Sequence, residues 1–247
     1  MLSPFCTLET AHGTLIVNKN DWAGDDGHRF GVSHQLLTNR EFEKIEVHGL
    51  KTLIDRQRTN NGDGVVVLDC GANLGVHSID WGRHMRGWGQ VFSVEAQKMI
   101  FCSLAGAIAL NNLDNVTPIH AVLGTDCGIF EMACPDYNKP GSFGSFELSP
   151  VKMDVGQEID YTKTTPVRMI SIDSLEFERL DLIKIDVEGA EAMVLRGAKE
   201  TLKRLHPIIH IEVNKSDSNE LMALLEECGY NHIRDGFILG NWIVEKI

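Results

Sequence analysis

The sequence predicts an α/β domain built on a mostly parallel sheet, and three observations carry that prediction. From Val65 onward, short apolar runs alternate with helix-length amphipathic segments, the pattern of βαβ units. The strand runs in VVVLDCG and LIKID are apolar at successive positions, which suits strands buried on both faces. Polar residues gather where those runs end, at Asp69, Glu95, Asp186, Glu188 and Glu212. In open α/β sheets ligands bind at the carboxyl ends of the strands.

Element by element, residues 5–18 alternate weakly, and GTLIV reads as a strand. DWAGDDGHRFG is rich in Gly and Asp and reads as a loop. Residues 39–58 read as one helix capped by Thr38 or Asn39, with Phe42, Ile45, Leu50, Leu53 and Ile54 near helical spacing. TNNGDG breaks that helix. VVVLDCG is then a strand, residues 76–85 a helix, QVFSVEA a strand, residues 99–110 a helix and VTPIHAVLG a strand. Residues 125–165 read as irregular. VRMISIDSL is a short strand and turn, LDLIKIDVEG a strand, residues 190–205 a helix and PIIHIEVN a strand. Residues 216–228 form a helix opened by Ser or Asp, and YNHIRDG and NWIVEKI close the chain as two strands. Residues 1–60 are thus an N-terminal extension, on the substrate side or at an oligomer contact, and residues 61–247 the main domain. The apolar closing strand NWIVEKI is available to pair with a second copy.

The chain of 247 residues supports one packed domain with a small appendage. A net charge of -12 argues against a nucleic-acid partner, which needs clustered Lys and Arg. The densest basic group, Lys51, Arg56 and Arg58, reads as a solvated helix face. No apolar run approaches the roughly 20 residues of a membrane helix. The opening MLSPFCTLETAHG lacks a basic region followed by an apolar core, which points to the cytoplasm. The six cysteines show no CxxC pair and no zinc-finger spacing, so they read as reduced thiols.

The chemistry lies at the strand ends. In VVVLDCGANLGVHSIDWG, Gly71 and Gly75 allow a sharp turn and a close backbone approach to a ligand. Neither GxGxxG nor GxxxxGK[ST] is present. Asp69 is a poor neighbour for a pyrophosphate and a good one for a cation, such as the amino-acid end of S-adenosylmethionine. Glu95 ends the next strand, about 20 residues past the glycine loop, where an acid commonly accepts hydrogen bonds from a ribose. That fits either a dinucleotide or S-adenosylmethionine. In LIKIDVEGAEAMVLRGA, Lys184 and Asp186 share one strand face, Glu188 follows at the tip, and Glu191 sits where an acid favours a helix start. Glu212 ends the next strand, with His210 two residues earlier on the same face. Such crowding of charge at a buried strand end is costly unless the groups pair or meet a ligand.

LDCGANLG, with SVEA, SIDSL, LIKIDVEGAEAMVLRGA and IHIEVN, resembles the FkbM family of S-adenosylmethionine-dependent methyltransferases from about Val65 to Asn214. The resemblance implies the class I methyltransferase Rossmann-like fold: a seven-stranded, mostly parallel sheet whose last strand is antiparallel. It also implies methyl transfer to a hydroxyl of a sugar or natural-product acceptor. Asp69, Gly71, Ala72, Asn73 and Gly75 match the cofactor loop, Glu95 the ribose acid, and Lys184, Asp186, Glu188 and Glu212 the acidic cluster. Gly141, Ser142 and Ser145 of KPGSFGS match a pocket-lining segment. The family usually has Glu-Pro where this chain has Glu95-Ala96.

Asp186, Glu188, Glu212, Lys184 and His210 are the candidate catalytic groups, with Asp186 and Glu188 favoured as base and Asp186 also near the cofactor. A divalent ion on the paired carboxylates is the less favoured use, and no metal site is assigned. Two other readings are a nicotinamide-dependent oxidoreductase, disfavoured by the missing third glycine, and a non-catalytic nucleoside-binding module of the same fold.

Overall fold

The structure is a computed structural model that describes residues 3–25, 27–146 and 157–246. The chain opens with a hairpin, β1 (Phe5–Thr10) and β2 (Gly13–Asn18), followed by α1 (Val32–Asn39) and α2 (Lys44–Asn61). The single helix expected over residues 39–58 is therefore two. Arg40 at φ 60° ends α1 and Glu43 at φ 40° precedes α2, and these left-handed residues turn the chain between them. Thr38 and Asn39 belong to the last turn of α1 rather than capping a later helix.

The main domain alternates as the pattern predicts. It runs β3 (Val65–Cys70), α3 (Val76–His84), β4 (Gly89–Glu95), α4 (Lys98–Leu110) and β5 (Val116–His120). The strand expected over VTPIHAVLG splits after β5. Its second part, β6 (Val122–Leu123), joins a separate sheet with β7 (Gly128–Ala133) and β8 (Thr164–Ile170). β7 lies in the region expected to be irregular, and residues 147–156 of that region fall outside the described residues. Then come β9 (Leu182–Ile185), α5 (Glu191–Arg196), α6 (Lys199–Leu205), β10 (Ile208–Glu212), α7 (Ser218–Glu227), β11 (His232–Asp235) and β12 (Asn241–Glu245). The helix expected over residues 190–205 breaks at Gly197, where a Cβ would lie 2.1 Å from the Gly124 carbonyl oxygen.

The seven-stranded sheet has the order β11-β12-β10-β9-β3-β4-β5. Its pairs are parallel from β5 to β10, and β12 runs antiparallel to both of its neighbours. Both edges of β12 are thus paired within the chain. The strand expected to meet a second copy has no free edge to offer it.

Alternation along the strands divides the core in two. Val65, Val67, Val91, Leu182, Ile208 and Ile243 pack on one face with Leu50 and Ile54 of α2, Ile79 of α3 and Leu104 of α4. Leu68, Ile183, Ile185, Ile209, Ile211 and Val244 pack on the other with Val194 of α5, Leu202 of α6 and Leu221 of α7. Leu15, Val17 and Leu36 of the N-terminal extension join the first cluster. The basic residues of α2 are paired: Lys51 lies 2.9 Å from Asp80, Arg58 2.7 Å from Asp63, and Arg56 bonds Glu245. Among the described residues, no helix is long and apolar enough to cross a membrane.

Candidate active site

The tip of β3 sets the geometry. Gly71 (φ 79°), Asn73 (φ 50°) and Gly75 (φ 90°) all adopt left-handed conformations, so the chain reverses within a few residues and enters α3. A Cβ on Gly71 would sit 1.9 Å from the Asp186 carbonyl oxygen, so only glycine lets β3 and β9 close together here. Every amide from Gly71 to Gly75 is used internally. Gly71 and Ala72 donate to Val94 O, Asn73 to the Glu95 carboxylate, Leu74 to Asn73 Oδ1 and Gly75 to Ala72 O. This loop keeps no amide for a pyrophosphate, in contrast to a dinucleotide loop.

Over the strand tips lies a cavity of about 380 Å³, within the range of small-molecule sites. One half surrounds Glu95. Its Oε2 accepts from Asn73 N at 2.9 Å and its Oε1 from Gln97 N at 2.7 Å, which fixes the carboxylate at the end of β4. Burial pushes its pKa up to about 7. Beside it, Ala96, Ala121, Val122, Leu123, Met132 and Phe146 form an apolar wall. Ser142, Gly144 and Ser145 close that side, while Gly141 lies behind it and donates to Asn20 O. This half suits an adenosine: an apolar slot for the base and a carboxylate for the ribose diol.

The other half is charged. Lys184, Asp186 and Glu212 project from the α2 side of β9 and β10 and line the cavity with Glu188. Lys184 Nζ donates to Asp186 Oδ2 at 2.9 Å. Burial works against the lysine charge, but Asp186, Asp69 and Glu46 outweigh it and raise the pKa. Burial would likewise raise Asp186, and Lys184 overcomes it, holding that carboxyl low. Glu188 is lifted to about 8 by burial and by the Asp186 charge, although Lys215 bonds it. Burial and Asp186 bring Glu212 to about 7. One oxygen from each of Asp186, Glu188 and Glu212 lies within 4.8 Å of the others, so the three could hold a divalent cation, which favours such oxygen donors.

Two expected site residues stand behind the cavity. Asp69 is buried; its Oδ2 accepts from Ser78 Oγ at 2.6 Å and its Oδ1 lies 3.9 Å from Lys184 Nζ. It supports Lys184 from beneath and is not part of the cavity wall. His210 is 1% exposed, stacks on Phe237, and is held to a pKa of about 4 by burial. Gly75 also lies off the wall, whereas Gly71, Ala72 and Asn73 form part of it. Glu191 accepts from the amides of Val187 and Gly189 and so braces the loop after β9.

Sequence reasoning named no residue of the N-terminal extension as part of the site. Phe30, Gln35, Phe42, Glu43 and Glu46 all line the cavity, together with His77 of α3 and Asn241 of β12. Glu46 Oε1 lies 3.0 Å from His77 Nε2, and Oε2 accepts from Asn241 Nδ2 at 2.9 Å. Within a helix read over residues 39–58, nothing local marks Glu46 as buried. Asp21 was also hidden in its loop. Buried, it accepts from Ser33 N and Phe143 N and ties KPGSFGS to the extension.

The strand order, the glycine loop and the acid at the end of the neighbouring strand define a class I methyltransferase fold. The sequence profile described as "Methyltransferase FkbM domain" matches residues 69–231. The chain belongs to the FkbM family of S-adenosylmethionine-dependent methyltransferases. Among solved structures it is similar to the methyltransferase FkbM from Methylobacillus flagellatus KT, with 16% identity and a TM-score of 0.50. That match covers 74% of this chain and 44% of the other, so the chain spans less than half of that protein. M. jannaschii TYW2, solved in complex with AdoMet, matches with 14% identity and a TM-score of 0.46, covering 100% of this chain and 89% of that one. Trm5b from Pyrococcus abyssi matches with 12% identity and a TM-score of 0.46, over 99% of this chain and 55% of its own. No curated protein matches the sequence.

Proposed function

We propose that the chain transfers a methyl group from S-adenosylmethionine to a hydroxyl of a small-molecule or saccharide acceptor. The observation that carries this reading is the convergence of Asp186, Glu188 and Glu212 within 4.8 Å, facing the same cavity as Glu95. When bound, S-adenosylmethionine supplies an electrophilic methyl on its sulfonium. The chain's residues then have to hold the acceptor oxygen in line and take its proton.

Glu95 would hold the ribose of the bound donor, and Ala121, Val122 and Leu123 would face its base. Asp186, kept ionised by Lys184, accepts a hydrogen bond from the acceptor and orients it. Glu188 and Glu212, lifted to about 8 and about 7, titrate near neutral pH, and in their ionised form they are the better general bases, since catalytic efficiency peaks when the pKa lies near the operating pH. Phe42 and Ile238, half-buried at the cavity wall, shield that transfer from water. The second reading, a divalent cation that the three carboxylates share, is favoured by their spacing alone.

The test is calorimetric titration with S-adenosylhomocysteine, with NAD as control, followed by turnover over a library of hydroxyl acceptors with and without chelator. Binding of the first ligand and not of NAD, with methylated hydroxyl product, supports the reading. Tighter binding of NAD, or no turnover on any hydroxyl, overturns it. Activity lost to chelator and restored by Mg²⁺ selects the cation reading.

A further inference from the structure

Asp69 was the residue expected to meet a cation in the cavity, yet it is sealed beneath Lys184. A carboxylate that does face the cavity, against His77 in the first turn of the helix after the glycine loop, is Glu46, contributed by α2, outside the residues that match the family profile. Glu46 is 3% exposed. Its Oε2 accepts from Asn241 Nδ2 at 2.9 Å, His77 Nε2 lies 3.0 Å from Oε1, and His210 Nε2 stands 4.0 Å away. Its neighbours are thus two histidines and an amide. The buried lysine nearby, Lys184, gives its hydrogen bond to Asp186. Burial would raise Glu46, but His77 and Lys184 outweigh it and keep the group ionised, at about 2. A buried carboxylate that stays charged and, among the described residues, meets no lysine or arginine in contact is suited to a ligand cation.

The order of the strands says which end of the ligand reaches it. Glu95 ends β4, and the apolar slot lies beyond it toward β5 and β6. On the other side of Glu95 come the tip of β3 with Gly71 to Asn73, then His77 in the first turn of α3 against Glu46. A molecule with its ribose at Glu95 and its base in the slot runs its far end across the glycine loop to that pair. Resting on the methyltransferase reading, we propose that Glu46 is the counter-ion for the ammonium group at the amino-acid end of the methyl donor. The N-terminal extension then completes the donor site. An amine on the acceptor would offer the same chemistry.

The test compares two ligands on the full chain by calorimetry: S-adenosylhomocysteine and its analogue lacking the amino group. The proteins are wild type, Glu46→Gln and Glu46→Asp. The wild type should prefer the amino-bearing ligand by about tenfold or more, the size of a charge-assisted hydrogen bond. Glu46→Gln should bind the two nearly equally, and Glu46→Asp should keep part of the preference. The comparison is a cycle, so a general loss of cavity shape, which weakens both ligands alike, does not imitate the result. No preference in the wild type overturns the proposal without any variant. A preference that survives in Glu46→Gln also overturns it, because another group then holds the ammonium. If S-adenosylhomocysteine does not bind the wild type at all, the methyltransferase reading falls and this proposal with it, a different result from binding without preference.

Discussion

Glu188 occupies a left-handed backbone conformation, φ 54°, that is uncommon for a residue with a side chain. Asn73 and Glu43, at 50° and 40°, are two more such residues, and all three line the cavity. Strained residues gather at functional sites where the surrounding structure holds them in place. In Glu188 the turn directs the carboxyl toward Asp186, whose charge, added to burial, lifts its pKa to about 8. Glu188→Gln should lower turnover by about two to four orders of magnitude, the contribution of a general base, and leave affinity for S-adenosylhomocysteine unchanged. In the parent protein, turnover should rise with pH through about 7–8 as the base loses its proton, with apparent values that belong to the three coupled carboxyls together. A pH profile of the variant that kept the same acidic limb, at wild-type rate, would remove Glu188 from the reaction.

At the scale of elements, the loop from β3 to α3 shows what a sequence discloses. DCGANLG announced a tight turn with glycines at φ > 0, because only glycine relieves the steric penalty there. Gly71→Ala should destabilise the protein by more than about 2 kcal/mol, since its Cβ would lie 1.9 Å from the Asp186 carbonyl oxygen. A melting curve unchanged from wild type would contradict that. The alternation of strands and helices was equally legible, as was the run LIKIDVEG, because burial on two faces leaves an apolar signature. The break between α1 and α2 was not. Arg40 and Glu43 carry no glycine or proline signal, so their left-handed turns come from the packing around them. The side of the cavity built by Glu46, His77 and Asn241 was hidden for a related reason. These residues lie far apart in the chain, and only the docking of α2 on the sheet brings them together. Asp69 was visible as an acid at a strand tip, but its position under Lys184 depends on β3 pairing with β9.

Across the whole molecule, a net charge of -12 coexists with a concentration of acids at one end of the sheet, and that arrangement couples stability to pH. Glu95 and Glu212 are lifted to about 7 and Glu188 to about 8 by burial. An acid whose folded pKa is raised binds its proton more tightly in the folded state. Its contribution is therefore complete below the unfolded value, near 4.5, and is lost as pH rises through the folded one. Glu46 and Asp186 are shifted the other way; their contribution is present above the unfolded carboxyl range and stays constant at neutral pH. His210 opposes the raised acids over a lower window. Burial holds it near 4 against an ordinary 6.5, so its contribution is lost as pH falls from 6.5 toward 4. Between 4.5 and 6.5 the three acids outweigh the one histidine, so stability already falls as pH rises, and above about 6.5 His210 is neutral in both states and the raised acids set the slope. The free protein should therefore lose stability as pH rises from about 6.5 to about 8.5, with a melting temperature lower by a few degrees, at about 2–4 °C per kcal/mol for a domain of this size. Glu188→Gln should flatten the upper part of that slope, because the amide has no proton to lose. A melting temperature that rises over the same interval would show that these carboxyls are ionised throughout, and would remove the proton-holding role assigned to Glu188 and Glu212.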